Sequence, residues 1–136
     1  MEYGYKITTN GQAAILAALD LGKPLRITRA AVGSGAVEEG ADLADVHALK
    51  AYAAEAAIVG RRHEGNQLFM TVQYSNRDCQ RAFTIGEFMV YAEDPETGRE
   101  TDFLYSALGD YRQPVPPYIR SVPPGVWAFP LVVAVS

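Results

Sequence analysis

The chain has little reactive chemistry: one cysteine, Cys79, and two histidines, His47 and His63, in 136 residues. A lone cysteine forms no intrachain disulfide and no cysteine metal cluster, so a hydrophobic core must hold the fold. The histidines form no HxxxH or HExxH pattern, and no metal site is expected. There is no GxSxG elbow, and the neighbours of Cys79 are Asn76, Arg77, Asp78, Gln80 and Arg81 rather than a histidine that could activate it. Gly33-Ser34-Gly35 is not accompanied by a phosphate-binding motif and reads as a sharp turn between strand and loop. The grouped carboxylates Glu38 with Glu39, Asp42 with Asp45, and Glu93 with Asp94 and Glu96 fall in expected turns and caps, where acids are favoured by local hydrogen bonding. The expectation is a protein that is not an enzyme and needs no cofactor.

Long runs of one kind are missing too. The net charge of -4 comes from interspersed acids and bases, and no Lys/Arg run could track a phosphate backbone, so no nucleic acid partner is expected. No stretch approaches the ~20 apolar residues needed to span a bilayer as a helix. The opening MEYGYKITTNG lacks the basic-then-apolar pattern of a secretory signal. A soluble product made in the cytoplasm, with no membrane partner, is the expectation.

What is present is ordinary globular composition, 49% apolar and 21% charged, at a length that fits one domain spanning residues 1–136. Thr9-Asn10-Gly11-Gln12 reads as a capping box, and Ala13 to Leu21 as a helix with Ile15, Leu16 and Leu19 on one side, stopped by Gly22 and Pro24. Leu25 to Val32 alternates as a strand, and Asp42 could cap a short helix to about Lys50. The segment from Ala51 to Arg62 and the segment Gln67 to Tyr74 form a hairpin about Glu64-Gly65-Asn66, with Leu68, Met70, Val72 and Tyr74 on one face. Phe83 to Ala92 and Phe103 to Leu108 pair across the turn 94–98. Residues 109–125 hold five of the eight prolines and read as a long surface loop. Val126 to Val135 sets Trp127, Phe129, Leu131, Val133 and Val135 on a core face, with Pro130 marking a sheet edge or a bulge. The order of elements predicts an α+β domain, an N-terminal helix packed on a largely antiparallel sheet.

Two residues stand out as structural. Glu87 lies within an apolar strand: if buried, its carboxylate needs a partner, either an arginine such as Arg29 or loop backbone, and solvent exposure on the other strand face is equally open to it. Trp127 belongs to the strongest strand pattern. Tyr3, Tyr5, Tyr111 and Tyr118, with Arg112 and Arg120, are candidate interface residues, because tyrosine pairs an apolar body with a hydrogen-bonding tip. An alternative function is a carbohydrate-binding β-rich module in which Trp127, Tyr111 and Tyr118 stack on sugars.

Over nearly its whole length the chain resembles the N-terminal domain family of phage tail-collar fibre proteins. The likeness is carried by Ile7-Thr8-Thr9-Asn10-Gly11 leading into the helix, by Leu25 to Val32 ending in Gly33-Ser34-Gly35, and by Phe83-Thr84-Ile85-Gly86-Glu87-Phe88-Met89-Val90-Tyr91-Ala92-Glu93-Asp94-Pro95. It continues through Phe103-Leu104-Tyr105-Ser106-Ala107-Leu108, Pro116-Pro117-Tyr118-Ile119 and the closing run from Phe129 to Ser136. Met89 stands where family members commonly have glycine. The resemblance implies a structural part of a phage or prophage tail, located in the virion, that attaches a tail fibre to the baseplate. It also implies a homotrimer whose partners are baseplate or other tail proteins.

Overall fold

The structure, a computed structural model, describes residues 3–134. It contains β1 (Gly4–Ile7), α1 (Thr9–Leu21), β2 (Arg26–Gly33), β3 (Tyr52–Glu64), β4 (Gln67–Ser75), β5 (Phe83–Ile85), β6 (Glu87–Glu93), β7 (Glu100–Ala107), β8 (Gln113–Val115) and β9 (Val126–Ala134). Seven strands form one antiparallel sheet in the order β1-β7-β6-β2-β3-β4-β9, and β5 pairs with β8 in a second, two-stranded sheet. The fold is therefore a single, mostly antiparallel β domain with one α-helix, and the helix is a smaller part than the α+β expectation gave it. No helix is long and apolar enough to cross a membrane.

The large sheet curls into a near-barrel. Its interior holds Ala30, Val32, Met70, Val72, Phe88, Val90, Phe129, Leu131 and Val133. Tyr3, just before β1, and Tyr5 within it join the edge strands β1 and β9. The Tyr3 hydroxyl donates to the Pro130 carbonyl, while Tyr5 donates to the Val132 carbonyl (3.2 Å) and accepts from the Val132 N–H (3.1 Å). Pro130 sits on this edge strand, where its missing N–H costs nothing to a central ladder. Val135 and Ser136 lie outside the described residues.

Several expectations are corrected by local geometry. The helix cap is Thr8, whose hydroxyl accepts from the Gly11 N–H, rather than Thr9 bonding Gln12. The buried stripe of α1 is Gly11, Ala14, Ile15 and Ala18, while Leu16 and Leu19 face outward. Small residues are required there because the helix lies close on β7: a Cβ on Gly11 would stand 2.2 Å from the Phe103 carbonyl oxygen. Strict alternation along β2 also fails. A register shift between Ile27 and Arg29 leaves Leu25 and Ile27 inward, then Ala30 and Val32 inward, with Arg29 outside. The continuous strand expected from Phe83 to Ala92 is divided at Gly86. The expected helix from Asp42 to Lys50 is only a 3-10 turn, Leu43–Asp45, with Asp42 accepting from the Ala44 N–H (3.1 Å). The rest of that segment is irregular, with Val46 packed on Met89 and Tyr105 on the outer face of β6 and β7.

Glu87, fully buried, fixes this outer segment. Its Oε1 accepts from the Lys50 N–H (2.9 Å) and the Tyr105 hydroxyl (2.7 Å), and its Oε2 from the Ala51 N–H (2.9 Å) and the Gly35 N–H (3.2 Å). Of the three environments open to it, the carboxylate has burial against loop backbone, neither solvent nor an arginine. Arg29 instead bonds Glu100 and Glu55 and covers the Tyr91 ring. Burial and the adjacent carboxylate both push the Tyr105 hydroxyl far above the ordinary tyrosine range. The clamp also explains Gly33 and Gly35. Neither has positive φ, and a Cβ at either would lie 2.3 Å or 2.9 Å from Glu87 Oε2. Replacing Glu87 by Gln brings an amide donor against N–H donors, and we expect a loss of about 1–3 kcal/mol by chemical denaturation, the range for leaving a buried donor without its acceptor.

Candidate functional site

Outside α1, exposed large apolar side chains gather in and just after the proline-rich segment. Its first part is more ordered than the loop expected there: Gly109–Tyr111 is a 3-10 turn, and Gln113–Val115 is β8, paired with β5. Pro114 lies in this two-stranded pair, so proline is kept out of the interior of the large sheet. Residues 116–125 then cross the surface, and Tyr118, Ile119 and Val122 project from them, 38%, 57% and 51% exposed, beside Val126 at the start of β9.

One buried side chain pins both ends of that crossing. Asn76 donates from Nδ2 to the Pro116 carbonyl (2.8 Å) and accepts on Oδ1 from the Gly125 N–H (2.8 Å). Its own N–H reaches the Gly125 carbonyl (3.2 Å), and the Tyr118 N–H donates to the Cys79 carbonyl (2.9 Å). Gly125 lies against the Trp127 ring, leaving no space for a side chain. An exposed apolar loop held this way enters a contact with much of its ordering entropy already spent. The polar run Ser75 to Arg81 gave no hint of the anchor in sequence, since asparagine in a polar stretch ordinarily faces solvent.

The candidate interface residues separate into two groups. Tyr3, Tyr5 and Tyr111 pack on the domain's own core, with Tyr3 in ring contact with Tyr5, Phe88, Tyr111 and Phe129. Tyr118 and Arg120 are exposed on the pinned segment, whereas Arg112, also exposed, donates to the Ser34 carbonyl (3.3 Å) near the Glu87 clamp. Trp127 is half-buried against Tyr74 and Gly125. Among the described residues, Trp127, Tyr111 and Tyr118 share no ring contact with one another. Cys79 is buried, with its thiol directed to the Arg81 carbonyl.

A second polar cluster joins α1 to β7 and the 36–50 segment. Asp102, nearly buried, accepts on Oδ1 from Asn10 Nδ2 (2.9 Å), and its Oδ2 lies 2.9 Å from His47 Nδ1. His47 Nε2 is 3.4 Å from Thr9 Oγ1. Hydroxyl, imidazole and carboxylate thus stand in the order of an acyl-transfer relay, but Thr9 lies on the exposed first turn of the helix, and the larger cavities open elsewhere. Its evident work is to tie the helix start to the sheet. No cluster of His, Cys, Asp and Glu among the described residues could hold a metal ion.

No family model matches the chain, and neither a curated protein nor a solved structure does.

Two outcomes follow from these contacts. Asn76→Ala leaves the Gly125 N–H without its acceptor, so stability should fall by about 1–3 kcal/mol and limited proteolysis should cut first within 116–125. Burial works to raise the Asp102 carboxyl, but hydrogen bonds from Asn10, His47 and Thr8 outweigh it and hold it below the ordinary 3.8. A carboxyl lowered by folding stabilises at pH values above its unfolded value and loses that contribution as pH falls through the folded one. Acid titration of stability should therefore show a steeper loss below about pH 4 in the wild type than in Asp102→Asn, with the unfolded carboxyl near its ordinary value.

Proposed function

We propose that the chain is a non-enzymatic structural adaptor of a phage or prophage tail, which attaches a tail fibre to the baseplate through protein–protein contacts and works as a homotrimer in the virion. The observation that carries this reading is the pinned segment 116–125, which presents Tyr118, Ile119 and Val122 beside Arg120 on a rigid base. Apolar side chains held outward in a set shape, with an arginine next to them, fit the composition of interface cores. The sequence resemblance supplies the biological setting. It is supported by the same residues, because Pro116-Pro117-Tyr118-Ile119 is part of the motif that carries it.

The test is cosedimentation of the purified chain with tail particles assembled without it. Wild type should pellet with the tails, and the double variant Ile119→Asp, Val122→Asp should bind at least tenfold more weakly while keeping its circular dichroism spectrum. Absence of wild-type binding overturns the adaptor reading. Specific retention on a glycan array, lost in Tyr118→Ala, would put a carbohydrate-binding module in its place.

A further inference from the structure

Two surfaces remain unexplained by the pinned segment. On α1, Leu16 and Leu19 are 66% and 63% exposed, beside a groove lined by Ala13, Ala17, Asp20, Asp94 and Glu96. This face is apolar along its ridge and acidic along its border.

The mouth of the near-barrel has the opposite character. A cavity of about 790 Å³ opens there, floored by Leu25, Ile27 and Leu68 and edged by Arg26, Arg61 and His63. A bulge in β3 builds that edge. Ala54, Ala56 and Ile58 face the core, so unbroken alternation would send residue 62 inward. Between Val59 and Arg62 the register shifts, with Gly60 at φ 65°. His63 then stands opposite inward-facing Leu68, and Arg62 turns outward onto the Phe69 ring, 4.1 Å from its centroid. The extra residue re-aims the strand end so that Arg61 and His63 line the cavity. Arg61 is in no ion pair among the described residues, and Arg26 has only a 3.9 Å approach to Glu93.

We propose that these two surfaces are complementary halves of one contact: the mouth of one copy receives the exposed leucine face of α1 from a second copy. Leu16 and Leu19 cover the apolar floor, and Asp20, Asp94 and Glu96 face Arg26, Arg61 and His63. Burying both leucines and the floor removes apolar area from water, and the opposed charges fix orientation and disfavour mouth-to-mouth pairing. Contact between unlike surfaces is heterologous and closes a ring when the rotation between copies divides the full turn. The inference rests on the self-association included in the proposed function and names the surfaces that would produce it.

The test is the solution mass of the full chain, by light scattering coupled to size exclusion over a wide concentration range. The wild type should self-associate. Arg61→Glu, which spoils the mouth, and Leu16→Asp, which spoils the helix face, should each weaken association at least tenfold. Both side chains are exposed, and circular dichroism checks that each variant folds. Mixing the two variants leaves one intact junction, between the mouth of the Leu16→Asp chain and the helix of the Arg61→Glu chain. The mixture should therefore stop at a pair, near twice the 14.8 kDa chain. Assembly that neither substitution weakens, or a mixture that forms no pair, overturns this contact and leaves self-association standing. A wild type that stays monomeric throughout overturns both.

Discussion

The buried carboxylate of Glu87 is the constraint around which the domain is arranged. A charge removed from water is tolerable only when donors replace the lost hydration. Here they are the Tyr105 hydroxyl from the adjacent strand, the Gly35 N–H beyond the end of β2, and the Lys50 and Ala51 N–H groups where the chain re-enters the sheet. Residues 36–49 are held at both ends as a result, which keeps Val46 over Met89 and Tyr105 and places His47 against Asp102. The demand for close approach also fixes glycine at 33 and 35.

The surfaces used in the functional reading depend on this frame at one remove. The clamped segment covers the outer face of β6 and β7, and at the far edges of the sheet tyrosine hydroxyls bridge β1 and β9. The closed wall then carries two rigid features on its rim. One is the 116–125 segment pinned by Asn76, and the other is the mouth shaped by the β3 bulge. The first is held by a buried side chain and the second by a bulge in a paired strand, which suits the proposed adaptor, whose partners must find a preformed surface.

Much of this architecture was readable from the residues. Inward alternation at Leu68, Met70, Val72 and Tyr74, and at Phe129, Leu131 and Val133, gave two core-facing strands because one face is apolar and the other faces outward. Glu87 could be singled out as a carboxylate within an apolar strand, with burial and solvent exposure both open to it. Its donors could not, since backbone N–H groups leave no mark in a sequence. The bulges in β2 and β3 shift the alternation by one residue, so the plain alternation expected from Leu25 to Val32 breaks before Arg29, and the placement of His63 at the cavity edge went unseen. Leu16 and Leu19 misled for a different reason: helical spacing shows which residues share a side, but the tight approach to Phe103 selects the small ones for burial. Asn76 was hidden because its partners, Pro116 and Gly125, are distant in sequence.

Hydrogen exchange of individual backbone amides tests the central role of Glu87 most directly. If its carboxylate locks the outer segment to the sheet, the N–H groups of Gly35, Lys50 and Ala51 should open only with global unfolding, and exchange as slowly as the core amides of β6. Exchange of these three amides at rates close to those of exposed loop positions, while β6 remains protected, would contradict the account.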